Sequence, residues 1–206
     1  MKKVTPTMMT KTLNWAYDKA LNGLPGTPTS QDLGDSYLKR YNDRDIAIDM
    51  LIKWQVAKCA TSGFVTGLGG LITLPVAVPA DLAVTFYVNI RMVAAIAHIH
   101  GHDIHDDQTR TAVFLCLVGD AVGEVLSKAG VKFTEKFARA QLMRMSAGIL
   151  KKINQAVAFK LATKFGQKGI INLFKLVPIL SGVVGGTVNG LTCKGLGKVA
   201  KRCLAA

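Results

Sequence analysis

The sequence predicts an all-α fold, a single-domain helical bundle in which two glycine-rich apolar helical elements pack in the core or dip into a membrane. Three observations predict it. Apolar residues recur every three to four positions through most of the 206 residues, the spacing of one helix face. No stretch alternates apolar and polar residues in the manner of a half-buried strand. Half of the residues are apolar and only 19% are charged, which excludes a disordered chain and supplies a core that needs neither disulfides nor a structural metal.

The elements follow in order. Residues 7–21 read as a short amphipathic helix, with Leu13, Tyr17 and Leu21 at i, i+4 and i+8 and Trp15 beside them. NGLPGTPTSQDLGDS is turn chemistry, so residues 22–36 read as a loop. A second helix is expected from Ser36 through Ala60, with Ile46, Met50 or Leu51, Trp54 and Ala57 on its buried stripe. Cys59 to Ala80 then holds 22 residues without Asp, Glu, Lys, Arg or His. Its length suits a membrane span, but Gly63, Gly67, Gly69 and Gly70 with Pro75 and Pro79 oppose one straight helix, each Gly costing about 1 kcal/mol and each Pro about 3. A broken hairpin, buried or shallowly inserted, fits better.

Pro79 suits the first position of the next helix, and Asp81 falls in its first turn, facing the positive end of the dipole. That helix runs to about His100, with Gly101 as a left-handed stop. HDIHDD supplies caps for a helix from about Asp106 to Lys128, which Gly130 ends. Residues 132–168 read as one or two further helices, and 175–203 as an apolar element that closes in a basic amphipathic tail.

Charge is the strongest functional signal. Residues 1–130 hold 12 basic and 12 acidic side chains, whereas residues 131–206 hold 14 Lys and Arg and the single acid Glu135, so all of the +13 net charge lies there. An anionic partner is expected. Lys132, Lys136 and Arg139 share one helical face, Lys160, Lys164 and Lys168 another, and Lys194, Lys198, Lys201 and Arg202 a third, opposite Leu196, Val199 and Cys203. An apolar face backed by a cationic one suits the interface of an anionic membrane. Nucleic acid is the rival anion. The basic segment contains five Phe but no Tyr or Trp, and the Phe follow apolar helical spacing instead of forming a stacking platform.

Two glycine series, Gly63 with Gly67 and Gly182 with Gly186 and Gly190, each lie near one helix face, where small residues let backbones approach closely in lipid or in a soluble core. Asp81 and Arg91 bracket the apolar run LAVTFYVNI, and ionisable groups in such surroundings call for partners. All four histidines fall in AHIHGHDIHDD. His98, His100, His102 and His105 with Asp103 and Asp106 are the candidate metal constellation, with a metal-dependent hydrolase as the corresponding activity. The cluster lies in a turn, and nothing outside it supplies a second ligand-bearing helix of the HExxH kind. No GxSxG, phosphate loop or catalytic cysteine motif is present, so no catalytic residue is assigned and no cofactor is expected. Cys59, Cys116, Cys193 and Cys203 are widely spaced among apolar residues, the pattern of buried thiols in a reducing compartment. MKKVTPTMMTKTLNW lacks the apolar run of a signal peptide, which predicts a cytoplasmic start.

The segments SGFVTGLGGLITLPVAVPADL, IAHIHGHDIHDD with VFLCLVGD, and KLVPILSGVVGGTVNGLTCKGLGKVAKR together resemble the bacterial EcsC protein family over residues 40–206. The resemblance leaves residues 1–39 as a separate N-terminal helix and loop, with no inference for Trp15 or Tyr17. It implies a mostly helical, membrane-associated bacterial protein linked to an ABC transporter neighbourhood, and names no reaction. The family commonly places an aromatic where His100 stands and as a rule lacks the other three histidines, so a metal site would be peculiar to this chain. The expectation is a non-enzymatic protein, cytoplasmic and peripheral at the inner face of the membrane, that binds anionic lipid through its basic C-terminal half.

Overall fold

A computed structural model describes residues 4–60, 78–132, 139–166 and 184–204, and the described residues are all-α, with no strand among them. Their helices are α1 (Pro6–Asn22), α2 (Ser30–Tyr41), α3 (Arg44–Ala60), α4 (Ala80–Ile99), α5 (Asp107–Cys116), α6 (Val122–Lys128), α7 (Arg139–Met143), α8 (Ala147–Gly166) and α9 (Val184–Leu204). A 3-10 turn at Gly119–Ala121 precedes α6.

The centre of the molecule is α4. Its sequence is apolar nearly all round, and a helix of that kind must be enclosed. Pro79 stands just ahead of it, and the chain leaves through Gly101 at φ 84°, with the His102 amide donating to the Ala97 carbonyl at 3.0 Å. That bond across a left-handed glycine satisfies a carbonyl which the helix end would otherwise leave open. Helices α1, α2, α3, α5 and α9 all pack around α4. The 18-residue window Leu82–Ile99 is long and apolar enough to cross a membrane, yet 89% of it is buried inside the protein.

The first helix shares this core. Met9, Leu13, Ala16 and Tyr17 of α1 are buried in one cluster with Ile48, Ile90 and Val157. The Tyr17 hydroxyl donates to the Ile104 carbonyl at 2.7 Å, its ring meets Phe114 edge-on at 5.6 Å, and the Arg110 guanidinium lies 5.1 Å over it. One aromatic side chain thus ties α1 to the α4–α5 turn and to α5, and burial pushes its phenol well above the usual tyrosine range.

Three differences from the sequence reading have physical causes. The expected loop at 22–36 contains the start of α2. There Thr29 and Asp32 form a reciprocal capping box, and the chain then breaks at Asn42, which is left-handed at φ 49°, before Asp43 caps α3 by accepting from the Ile46 amide at 2.8 Å. The expected helix from Asp106 to Lys128 is interrupted after Cys116 by Gly119 at φ 57°, a conformation in which an L side chain is strained. The buried face of α3 is Ala47, Ile48, Leu51, Ile52 and Gln55, one step round from the expected stripe, so that Ile46 and Trp54 are 51% and 48% exposed. The packing of α9 sets that rotation. A Cβ on Gly197 would lie 2.8 Å from two side-chain carbons of Ile52, and Lys201 reaches Asp45 at 3.3 Å and Asp49 at 2.8 Å.

Candidate functional site

Among the described residues, an open groove of about 740 Å³ lies between the first two turns of α1, the end of α6 and the middle of α8. Pro6, Thr7, Thr10 and Lys11 form one wall, Lys128 closes one end, and Lys152, Gln155, Ala156 and Phe159 form the other wall. Each part follows from local sequence. Thr5 caps α1 by accepting from the Met8 amide at 3.2 Å, and Pro6 takes the first helical position, so the positive end of the α1 dipole is held beside the groove. Helix α8 buries Leu150, Ile153, Val157, Ala158 and Leu161 on one face, which turns Lys152, Gln155 and Phe159 outward at the complementary spacing. Phe159 is 49% exposed, and the Lys128 ammonium lies 5.3 Å over its ring.

One carboxylate holds Lys128, the lysine at the end of the groove, together with Lys160. Glu124 accepts from Lys128 at 2.8 Å and also from Lys160. These bonds, the Lys128 bond first, hold the Glu124 pKa down to about 2. The groove therefore sets an exposed aromatic beside Lys11, Lys128 and Lys152, with Lys128 also held by Glu124. Such a surface can bind an anion and cover an apolar chain, and it contains no nucleophile with a base beside it.

The expected basic residues are dispersed across several elements. Lys132 is exposed just beyond α6, Lys164 is exposed on α8 with its ammonium 5.8 Å over the Phe165 ring, and Lys194 and Lys198 are exposed along α9. Lys160 is held by Glu124, and Lys201 is committed to the Asp45 and Asp49 carboxylates, which push its pKa up, the Asp49 bond most. Arg139 opens α7 and Arg202 lies in the last turn of α9, but their side chains, like Lys136 and Lys168 altogether, lie outside the described residues. So do Gly63, Gly67 and Gly182 and the surroundings of Gly186 and Gly190. The close approaches that the structure does describe are at Gly197 and at Gly34, where a Cβ would come within 2.9 Å of the His98 ring and 3.2 Å of the Ala95 carbonyl. Asp81 occupies the first turn of α4, its side chain outside the described residues, and Arg91 is 5% exposed with no partner for its Nε among the described residues.

The histidines point to separate partners. His98 Nε2 pairs with the Asp35 carboxylate of α2 at 2.7 Å, and His102 Nε2 meets the Leu204 carbonyl of α9 at 2.7 Å. The His100 ring stacks on that of His102 at 6.0 Å, while Asp103 accepts from the His105 amide at 2.8 Å. Asp106 stands at the N-cap of α5 without a side-chain cap bond. Among the described residues no three His, Cys, Asp or Glu side chains come together as metal ligands.

The groove was not legible as a unit. Lys11, Lys128 and Lys152 come from three regions of the chain, and Lys11 lies in the segment that the resemblance set aside. The available signal was the outward Lys152–Phe159 spacing on α8, but nothing in one sequence says which helix would face it.

No curated protein matches the chain, and no solved structure matches it. The sequence profile of the EcsC protein family matches residues 1–205, the α1 wall of the groove included, and the chain belongs to the EcsC protein family.

Proposed function

We propose that this protein attaches peripherally to anionic membrane surfaces and seats a lipid phosphate in the groove between α1, α6 and α8. The observation that carries the reading is the convergence of Lys11, Lys128 and Lys152 on the N-terminal turns of α1 beside the half-exposed Phe159. A helix N-terminus favours an anion, three ammonium groups add charge, and an exposed ring flanked by lysines suits the boundary between headgroups and acyl chains. Lys164, Lys194 and Lys198, exposed elsewhere, supply diffuse attraction to the same surface. The burial of α4 supports attachment without insertion of that helix.

Co-sedimentation with vesicles tests the proposal. The protein is expected to bind vesicles containing phosphatidylglycerol at low salt, to leave neutral phosphatidylcholine vesicles unbound, and to be released by salt. Each lysine near an anionic surface contributes about 1 kcal/mol, so Lys11→Gln with Lys128→Gln and Lys152→Gln should lower the partition coefficient by about one to two orders of magnitude. Lys194→Gln with Lys198→Gln should lower it less. Equal binding by the groove variant and the wild type would remove the groove from the reading, and no binding to anionic vesicles would overturn it.

A further inference from the structure

Helix α3 is apolar on two sides. Ala47, Ile48, Leu51 and Ile52 are buried in the core. Ile46, Met50, Trp54 and Ala57 follow one another at three- and four-residue steps on another side, where Ile46 is 51% and Trp54 48% exposed, Met50 is half-buried and Ala57 is exposed. This is the stripe that spacing alone marks for burial, and in the folded chain it lies at the surface. The groove residues stand on other helices.

Large apolar side chains in a row at a surface mark a contact, and the charges beside them indicate with what. Residues 43–58 carry Asp43, Asp45 and Asp49 in the first half, Lys53 and Lys58 in the second, and Arg44 among the acids, so three acids balance three bases. An anionic lipid surface would meet the carboxylates as well as the ammonium groups and gain little. A helix with acids ahead and bases behind is instead complementary to a second copy of itself running the other way.

We infer that two copies of this chain pair through α3, antiparallel, about a two-fold axis at Met50. Such an axis makes every contact twice. Ile46 of one copy lies on Trp54 of the other, Met50 meets Met50 at the centre, and Lys53 comes beside Asp49 of the other copy on one flank of the stripe. Lys53 is exposed, and Asp49 remains 63% exposed while it holds Lys201 at 2.8 Å. The indole supplies the anchor, and the ion pairs set the register. One helix face is a small interface, so the dimer is weak and forms at about 10–100 µM.

Sedimentation velocity on the full chain over a concentration series tests the pairing, at about 0.15 M salt to screen the +13 net charge. The wild type should pass from monomer to dimer. Met50→Lys, which sets two ammonium groups on the axis, and Trp54→Ser should each stay monomeric, with the helicity and Tm of the wild type. Lys53→Asp alone and Asp49→Lys alone should each weaken the dimer by about tenfold or more, because each brings like charges together across the interface. Asp45, 3.3 Å from Lys201, keeps α9 tied to α3 in Asp49→Lys. An equimolar mixture of these two variants should associate as the wild type does, since each new side chain then faces its opposite charge. A wild type that is monomeric throughout would overturn the inference, as would association that survives Met50→Lys or a mixture no better paired than either variant alone. A monomeric wild type whose binding to phosphatidylglycerol vesicles falls with Trp54→Ser would give the stripe to lipid instead.

Discussion

His100 carries a cost that pH exposes. Its Nε2 is buried with no partner among the described residues, and burial first, then the neighbouring His102, lowers its pKa below 6.5. Arg44 and Lys201 push the same way, and Asp45 opposes them. A lowered pKa means that the unfolded chain takes up the proton before the folded one, so this stability is intact above about pH 6.5 and is lost as pH falls below it. Thermal melts from about pH 7 down to about pH 5 should therefore show the wild-type Tm falling more steeply than that of His100→Gln. Parallel slopes would mean that His100 titrates as it does in the unfolded chain. At this scale the sequence was legible in type and silent in pairing. AHIHGHDIHDD announces a turn with a left-handed glycine, and Gly101 supplies it, but the partners of His98 and His102 lie 63 and 102 positions away. Local spacing holds no record of such contacts.

Among elements, the contact between α3 and α9 depends on one missing side chain. Gly197 lets the helix backbone rest on Ile52, and a Cβ there would meet Ile52 carbons at 2.8, 2.8 and 3.1 Å. Gly197→Ala should therefore destabilise the fold by about 1–3 kcal/mol, the usual range for overpacking, despite the higher helix propensity of alanine. Paired with Ile52→Ala the cost should shrink, and a double-mutant cycle by urea unfolding should return a favourable coupling of about 0.5–3 kcal/mol. Additive changes would show that the helices move apart instead of interlocking. The glycine series at 182, 186 and 190 drew attention because its spacing is regular, whereas Gly197 falls off that series and becomes important only once Ile52 is seen beneath it. Helix existence was legible wherever a cap stood beside periodic apolar residues. The start of α2 was missed because the Thr29–Asp32 capping box sits among Gly and Pro that read as turn.

At the scale of the whole molecule, the most apolar of the described helices is the one least able to reach lipid. Leu82–Ile99 passes the length and hydropathy test of a membrane span, with mean hydropathy 1.6, but five helices enclose it and 89% of it is buried. Drawing it into a bilayer would exchange one apolar environment for another while unpacking α1, α2, α3, α5 and α9 from their common core, so the transfer gains no hydrophobic free energy to offset the lost packing. Attachment through Lys11, Lys128, Lys152 and Phe159 leaves that core closed. The two routes differ in hydrogen exchange, which reports the free energy of local opening. On addition of anionic vesicles at low salt, peptides covering residues 6–11 and 149–163 should gain protection, while peptides from 84–97 should exchange as slowly as in the unbound protein. Faster exchange in α4 on binding would mean that the bundle opens to insert, and the surface reading of the groove would fall with it. Unchanged exchange at 6–11 and 149–163, with the protein bound, would instead move the contact to the exposed lysines of α9.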